Sequence, residues 1–130
     1  MNTALALLFS TITQSMDLPP GLLESVCYVE TKYDTDAIHE DDGGSDSFGI
    51  CQIKLISAYH MGYRGSEEDL MRPEVNIYFA AKLLAYQVKR YRSDYAKAVT
   101  AYNRGHSINN GNSVYYQKVA RIWSNYVNLN

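Results

Sequence analysis

Apolar residues recur at helical spacing through most of this chain, and one polar stretch interrupts them. The clearest stripe follows Pro19 and Pro20, which suit the first turn of a helix, and its members are Leu22, Val26, Val29 and Tyr33. Residues 34–48 are then polar and acidic, with turn chemistry at Asp42-Gly43-Gly44. The pattern predicts a mostly α domain, with a small β-hairpin or irregular loop directly after this helix.

Other segments carry the same helical signals. The first apolar stripe of the chain consists of Leu5, Leu8, Ile12 and Met16. A capping box at Ser66-x-x-Asp69 predicts a single helical turn. Gly105 is expected just past a helix C-terminus. The remaining predicted helices are a short one from Gln52 to His60 and longer ones over about 73–92, 94–104 and 115–126.

The chain's length and charge exclude several classes of protein. Its 130 residues predict one domain, covering 1–130, that is large enough for a single hydrophobic core. A net charge of −2 does not favour a nucleic-acid partner, which usually calls for a basic patch. The longest apolar run, residues 4–9, is too short to span a bilayer, and it lacks the features of a signal peptide. We therefore expect that the protein is made in the cytoplasm and does not insert into a membrane.

The cysteines and histidines do not suggest a metal centre. His39, His60 and His106 show no zinc-ligand spacing with either cysteine, so we expect no metal and no cofactor. Cys27 and Cys51 could form a disulfide only if their Cα atoms lay within about 7 Å. In the absence of a secretion signal, we expect two reduced, packed cysteines.

Glu30 is the most informative acidic residue. It lies in the row of Leu23 and Cys27, at the border of the buried face of its helix and near the helix C-terminus. A carboxyl group bordering an apolar face can have its pKa raised by desolvation, which suits a general acid. A helix-terminal salt bridge explains the same placement, and from this environment alone both interpretations stay open.

Three short motifs in fixed order carry a family resemblance. They are Glu30-Thr31, Gly49-Ile50-Cys51-Gln52 and Ala101-Tyr102-Asn103-Arg104-Gly105. Together they resemble the soluble lytic transglycosylases, in which a glutamate-serine pair, a Gly-Leu-Met-Gln segment and an Ala-Tyr-Asn-x-Gly segment surround one peptidoglycan-cleaving groove. The resemblance extends from about Leu5 to about Val119. It implies a lysozyme-like α+β fold. Within the family, the chain resembles most the short versions associated with secretion machines and bacteriophage virions.

The resemblance also assigns roles to residues. It implies that Glu30 is the catalytic residue, with Thr31 in the place of the usual serine and Cys51 in the place of the usual methionine. Tyr116-Gln117-Lys118-Val119 resembles the C-terminal Tyr-x-x-x-Val region of the family. The residues implied to bind substrate are Thr31, Gly49, Cys51, Gln52, Tyr102, Asn103 and Tyr116.

In the implied reaction, Glu30 acts alone on the bond between N-acetylmuramic acid and N-acetylglucosamine, and the product carries a 1,6-anhydro ring. The partner is then a peptidoglycan glycan strand. The protein is expected to be a monomer that a virion, a holin or a secretion machine delivers to the periplasmic or extracellular wall.

Two alternatives remain. The acidic loop also resembles that of goose-type lysozymes, so Asp42 or Asp46 could position a water for hydrolysis, although a solvated acidic turn is the simpler interpretation. The second alternative is a non-catalytic wall-binding or virion structural domain that kept the fold. Retention of Glu30, Gln52 and Tyr102 together argues against this alternative, because a scaffold has no need for the acid.

Overall fold

The computed structural model describes residues 1–42, 44–107 and 111–128, with the side chains of 41, 42, 127 and 128 outside that description. Its helices are α1 (Thr3–Ser15), α2 (Leu22–Thr31), α3 (Leu55–His60), α4 (Glu67–Leu70), α5 (Pro73–Arg90), α6 (Tyr95–Arg104) and α7 (Val114–Asn128). Its strands are β1 (Ile38–Asp42), β2 (Ser45–Phe48) and β3 (Ile53–Lys54). The predicted mostly α domain with one small β element after the Glu30 helix is confirmed. Among the described helices, none is both long and apolar enough to cross a membrane.

Helix α2 lies at the centre of the main core. Leu22, Leu23 and Val26 are fully buried, and each contributes about 1.5–3 kcal/mol relative to an exposed side chain. The helix packs against α1 and α7. The indole Nε1 of Trp123 in α7 donates to the Pro20 carbonyl at 3.0 Å, just before α2 begins. These contacts fix the axis of α2 and therefore the position of its C-terminal residue pair, Glu30-Thr31.

The polar stretch forms a three-stranded antiparallel sheet in the order β1-β2-β3. Ile38 pairs with Phe48, and Phe48 pairs in turn with Ile53. Phe48 and Ile53 bury their side chains in a second, smaller core beneath the sheet, together with Tyr63 and Leu70. The hairpin predicted between residues 34 and 48 is thus present.

Two predicted helix boundaries were wrong. The short helix expected from Gln52 begins at Leu55, because Ile53 and Lys54 pair with β2 instead. The long helix expected to reach residue 92 ends at Arg90. Arg92 and Ser93 adopt positive φ values of 53° and 65°, which end the helix.

Two predicted helix ends are confirmed. The Ser66 side chain caps α4 by accepting from the Asp69 amide at 3.1 Å. Gly105 ends α6 in the left-handed conformation, with a φ of 87°.

The expectation of two reduced cysteines was wrong. Cys27 and Cys51 form a disulfide, with Cα atoms 4.3 Å apart, and both side chains are fully buried. Helix α2 presents Cys27 one turn before Glu30, and the segment 49–52 crosses α2 at that level. The sequence contained both cysteines but could not show that this segment returns to the helix.

We predict that the disulfide contributes substantially to stability, because it restricts the unfolded chain. Replacing both cysteines by alanine should lower the free energy of unfolding by about 2–4 kcal/mol. Denaturant unfolding of wild type and double variant, each with and without a thiol reductant, measures this. The reductant should destabilise only the wild type, and equal stabilities of the two proteins under oxidising conditions would contradict the prediction.

Candidate active site

Glu30 lies where two cavities meet. The first cavity, of about 590 Å³, is bounded by residues of β3, α3, α5 and α6 as well as by Glu30 and Gln52. The second, of about 480 Å³, is bounded by the Glu30 end of α2 and by β1, and it shares Glu30 and Gln52 with the first. We call the two cavities together the groove. Because Glu30 is half-buried between them, its carboxylate can reach a ligand that extends to both sides.

The carboxylate of Glu30 is held by a tyrosine that the sequence interpretation did not single out. The Tyr115 hydroxyl in α7 donates to Oε2 of Glu30 at 2.6 Å. Burial raises the pKa of Tyr115 well above its ordinary value, and the nearby negative charge of Glu30 raises it further. The hydroxyl therefore keeps its proton at neutral pH and remains a donor. Tyr115 fixes one oxygen of Glu30, so the carboxyl group has a defined orientation.

Backbone carbonyls of the Gly49–Gln52 segment accept hydrogen bonds from side chains of α2 and α6. The Thr31 hydroxyl donates to the Ile50 carbonyl at 2.7 Å. The Tyr102 hydroxyl donates to the Cys51 carbonyl at 2.8 Å. Burial, and then the charge of Glu30, raise the pKa of Tyr102 well above its ordinary value, so this donor also stays protonated. The structure thus places the hydroxyls of Thr31 and Tyr102 on the segment beside Glu30.

Asn76 in α5 supports the same segment from below. Its side chain is fully buried and makes three hydrogen bonds. Oδ1 accepts from the Cys51 amide at 2.9 Å, while Nδ2 donates to the carbonyls of Phe48 and Leu70 at 2.8 and 2.9 Å. Gly49 has a φ of 78°, and a Cβ there would collide with the Asn76 amide. Gly49 therefore lets the segment approach Asn76 closely, and its role is structural.

Gln52 lines both cavities in a strained backbone conformation. Its φ of 54° lies in the left-handed region, which costs a non-glycine residue about 1–3 kcal/mol. The side-chain Nε2 donates to the Gly49 carbonyl at 2.9 Å and to the Ala37 carbonyl at 3.2 Å. These bonds orient the amide toward the groove next to Glu30. Strain of this kind that is held in place beside an acid is typical of a functional position.

Of the other predicted site residues, one lines the groove and two do not. Asn103 is exposed and lines the first cavity. Cys51 is fully buried in the disulfide, so its side chain does not reach a ligand. Tyr116 packs against the main core and lines neither cavity of the groove. For Cys51 the predicted substrate contact is thus replaced by a structural role, whereas the substrate contact of Tyr116 stays a prediction.

Of the two aspartates of the acidic loop, Asp46 has a described side chain, and it does not line the groove. Asp46 lines a separate cavity of about 290 Å³ with Tyr59 and Glu67, and that cavity shares no residue with the groove. The side chain of Asp42 lies outside the part of the chain that the structure describes. Among the described residues, no cluster of three or more His, Cys, Asp or Glu side chains is placed to hold a metal ion.

Several residues of the groove wall carry no motif in the sequence. They come mainly from α3, α5 and the end of α6, and include Ser57, His60, Gln87, Arg90 and Arg104. Their side chains meet only because α5 packs on α6 and α3 packs on α5. For Gln87 one signal existed, since a polar residue on the buried face of a predicted helix needs a partner.

Comparison with known proteins agrees with this geometry. The family model described as "Transglycosylase SLT domain" matches residues 8–123, and the chain belongs to this family. Among curated proteins, protein IpgF of Shigella flexneri is 29% identical over 93 residues, which cover 70% of this chain and 60% of that protein. Protein IpgF of Shigella sonnei matches with the same identity and coverage. The match thus spans 60% of the length of these relatives, and no solved structure matches.

We predict that Tyr115→Phe lowers turnover, because it removes the hydrogen bond that orients Glu30 while keeping the ring. The expected loss in kcat is about tenfold, which corresponds to about 1.4 kcal/mol for one hydrogen bond to a charged group. KM should change little, since the hydroxyl contacts Glu30. Steady-state assays on purified peptidoglycan measure both constants. Tyr95→Phe, which removes a tyrosine hydroxyl away from the groove, is the matched control, and an unchanged kcat for Tyr115→Phe would remove Tyr115 from the site.

Proposed function

We propose that this protein is a lytic transglycosylase that cleaves peptidoglycan between N-acetylmuramic acid and N-acetylglucosamine. The observation that carries the proposal is the position of Glu30, oriented by Tyr115 at the meeting point of two cavities. Among the described residues that line the first cavity, Glu30 is the only carboxylate. A groove open to both sides suits a polymer, and membership in the transglycosylase domain family names the same chemistry.

The proposed reaction uses one carboxyl group twice. Protonated Glu30 gives its proton to the glycosidic oxygen as the bond from that oxygen to the muramyl C1 breaks. The carbonyl oxygen of the muramyl N-acetyl group stabilises the positive charge that develops on C1. Glu30, now a carboxylate, takes the proton of the C6 hydroxyl, and the C6 oxygen bonds to C1. Glu30 is protonated again, no water is consumed, and the products are a 1,6-anhydro muramyl end and a free N-acetylglucosamine 4-hydroxyl.

Each groove residue has its own proposed role in this reaction. Tyr115 keeps the Glu30 oxygens in one orientation through both proton transfers. Gln52 lines both cavities, and its Nε2 donors are taken by backbone carbonyls. It therefore offers its side-chain oxygen as an acceptor to the sugar on either side of the broken bond. Asn103 provides an exposed amide in the first cavity, and Thr31 lines the second cavity. Tyr102 positions the segment beneath them through the Cys51 carbonyl.

The buried disulfide supports a site of action outside the cytoplasm. Structural disulfides persist in oxidising compartments such as the periplasm and the extracellular space, and peptidoglycan lies there. The role in bacteriophage lysis or entry, or in local wall opening, belongs to the same proposal.

Glu30→Gln is expected to abolish cleavage without unfolding the protein, because glutamine keeps the shape but cannot exchange the catalytic proton. The loss should be on the order of 10²–10⁴-fold or more. Turbidity loss of purified cell walls measures activity, and circular dichroism confirms folding. Glu68→Gln, the same change on exposed α4, should be as active as wild type. Lysis by folded Glu30→Gln at the wild-type rate would place catalysis away from Glu30. Absence of lysis by the wild type would favour the non-catalytic alternative.

The reaction product distinguishes the transglycosylase from the hydrolase. We expect muramyl ends that are 1,6-anhydro rings and resist borohydride reduction, with Asp46→Asn and Asp42→Asn each retaining most activity. Asp46 lines a cavity separate from the groove, which supports this expectation. Mass analysis of the released muropeptides is the measurement. Products that are all reducible and one water heavier, with activity lost in either aspartate variant, would establish hydrolysis.

A further inference from the structure

The first cavity carries a pair of arginines at its α5–α6 end. Nη1 of Arg90 donates to the Gly105 carbonyl at 3.1 Å, and Arg104 is the residue directly before Gly105. Both arginines line the cavity and are exposed. Neither cavity arginine forms an ion pair with a carboxylate in the part of the chain that the structure describes.

The Arg90 guanidinium is held in place before any ligand arrives. Its Nη1 also donates to Oε1 of Gln87 at 3.3 Å, and Gln87 is buried. The guanidinium lies over the Tyr91 ring, 4.9 Å from the ring centroid. A guanidinium has five N–H donors in a planar fork, and both bonds come from one nitrogen, so the fork keeps further donors for an anion.

The charge of the groove changes sign across Glu30. Besides the arginine pair, the first cavity is lined by Lys54. The second cavity is lined by the carboxylates of Asp34 and Glu40. An anionic substituent is therefore favoured in the first cavity and repelled in the second, which gives a bound strand a preferred direction.

We propose that Arg90 and Arg104 bind a carboxylate carried on the C3 lactyl arm of a muramyl residue, on the first-cavity side of the bond that is cut. This inference rests on the proposed function for the identity of the strand. The carboxylate is either the lactyl group itself, in strands without peptides, or a carboxylate of the stem peptide attached to it. Guanidinium and carboxylate groups match in geometry and charge, and the pair of like charges gains further from an anion between them.

The test compares denuded glycan strands, which have free lactyl carboxylates, with the same strands after amidation of those groups. Wild-type kcat/KM should be about fivefold higher on the charged strands, the effect of an exposed ion pair, and salt should reduce this preference. Arg104→Gln should lose about fivefold on charged strands and nothing on amidated ones. Arg121→Gln, the same change on an exposed face of α7, should match wild type on both. A loss confined to peptide-bearing strands would assign the carboxylate to the stem peptide.

Two results would overturn the proposal. One is an equal loss for Arg104→Gln on charged and amidated strands, and the other is no loss on any strand. Binding measurements keep the test separate from the proposed reaction, because Glu30→Gln protein should bind charged denuded strands about fivefold more tightly than amidated ones. If wild type forms no product from any strand, the transglycosylase proposal fails. The binding ratio, with and without Arg104→Gln, still decides whether the arginine pair holds a carboxylate.

Discussion

The covalent bond between Cys27 and Cys51 joins the helix that carries Glu30 to the segment that lies beside it. The segment has little regular structure of its own, since it falls between β2 and the two-residue strand β3. Hydrogen bonds from Thr31 and Tyr102 to its carbonyls act at the same point as the disulfide. Because each of these contacts orders the segment for the others, the backbone strain at Gln52 can be maintained at small additional cost.

Burial explains why these polar contacts are effective. The Asn76 amide is fully buried beneath the segment, and leaving one of its bonded partners unsatisfied would cost about 1–3 kcal/mol. The segment therefore has one favourable position relative to α5, just as the disulfide gives it one position relative to α2. The site is thus held between two helices of the core, and Tyr115 adds a third, α7, through its bond to Glu30.

The sequence predicted the parts that depend on local pattern. Helical stripes, the capping serine at Ser66 and the hairpin all follow from neighbours along the chain, and the motifs identified the segment around Glu30. The sequence did not predict contacts between segments that are distant along the chain. Tyr115 is one of 12 tyrosines, and nothing near it distinguishes the ring that reaches Glu30, 85 residues away. The disulfide was missed for the same reason, since the spacing of two cysteines does not report their distance in space.

The distribution of charge in space is another property that the sequence alone did not predict. A net charge of −2 describes the chain as nearly neutral, yet the groove has a cationic cavity and an acidic one on the two sides of Glu30. Arg90 and Arg104 are separated along the chain, so no basic run marks them, and the packing of α5 on α6 brings them together. Screening weakens such charges beyond about 8–10 Å at physiological salt. Their effect is therefore confined to a ligand that already lies in the groove, where it acts on the direction of binding and not on long-range attraction to the wall.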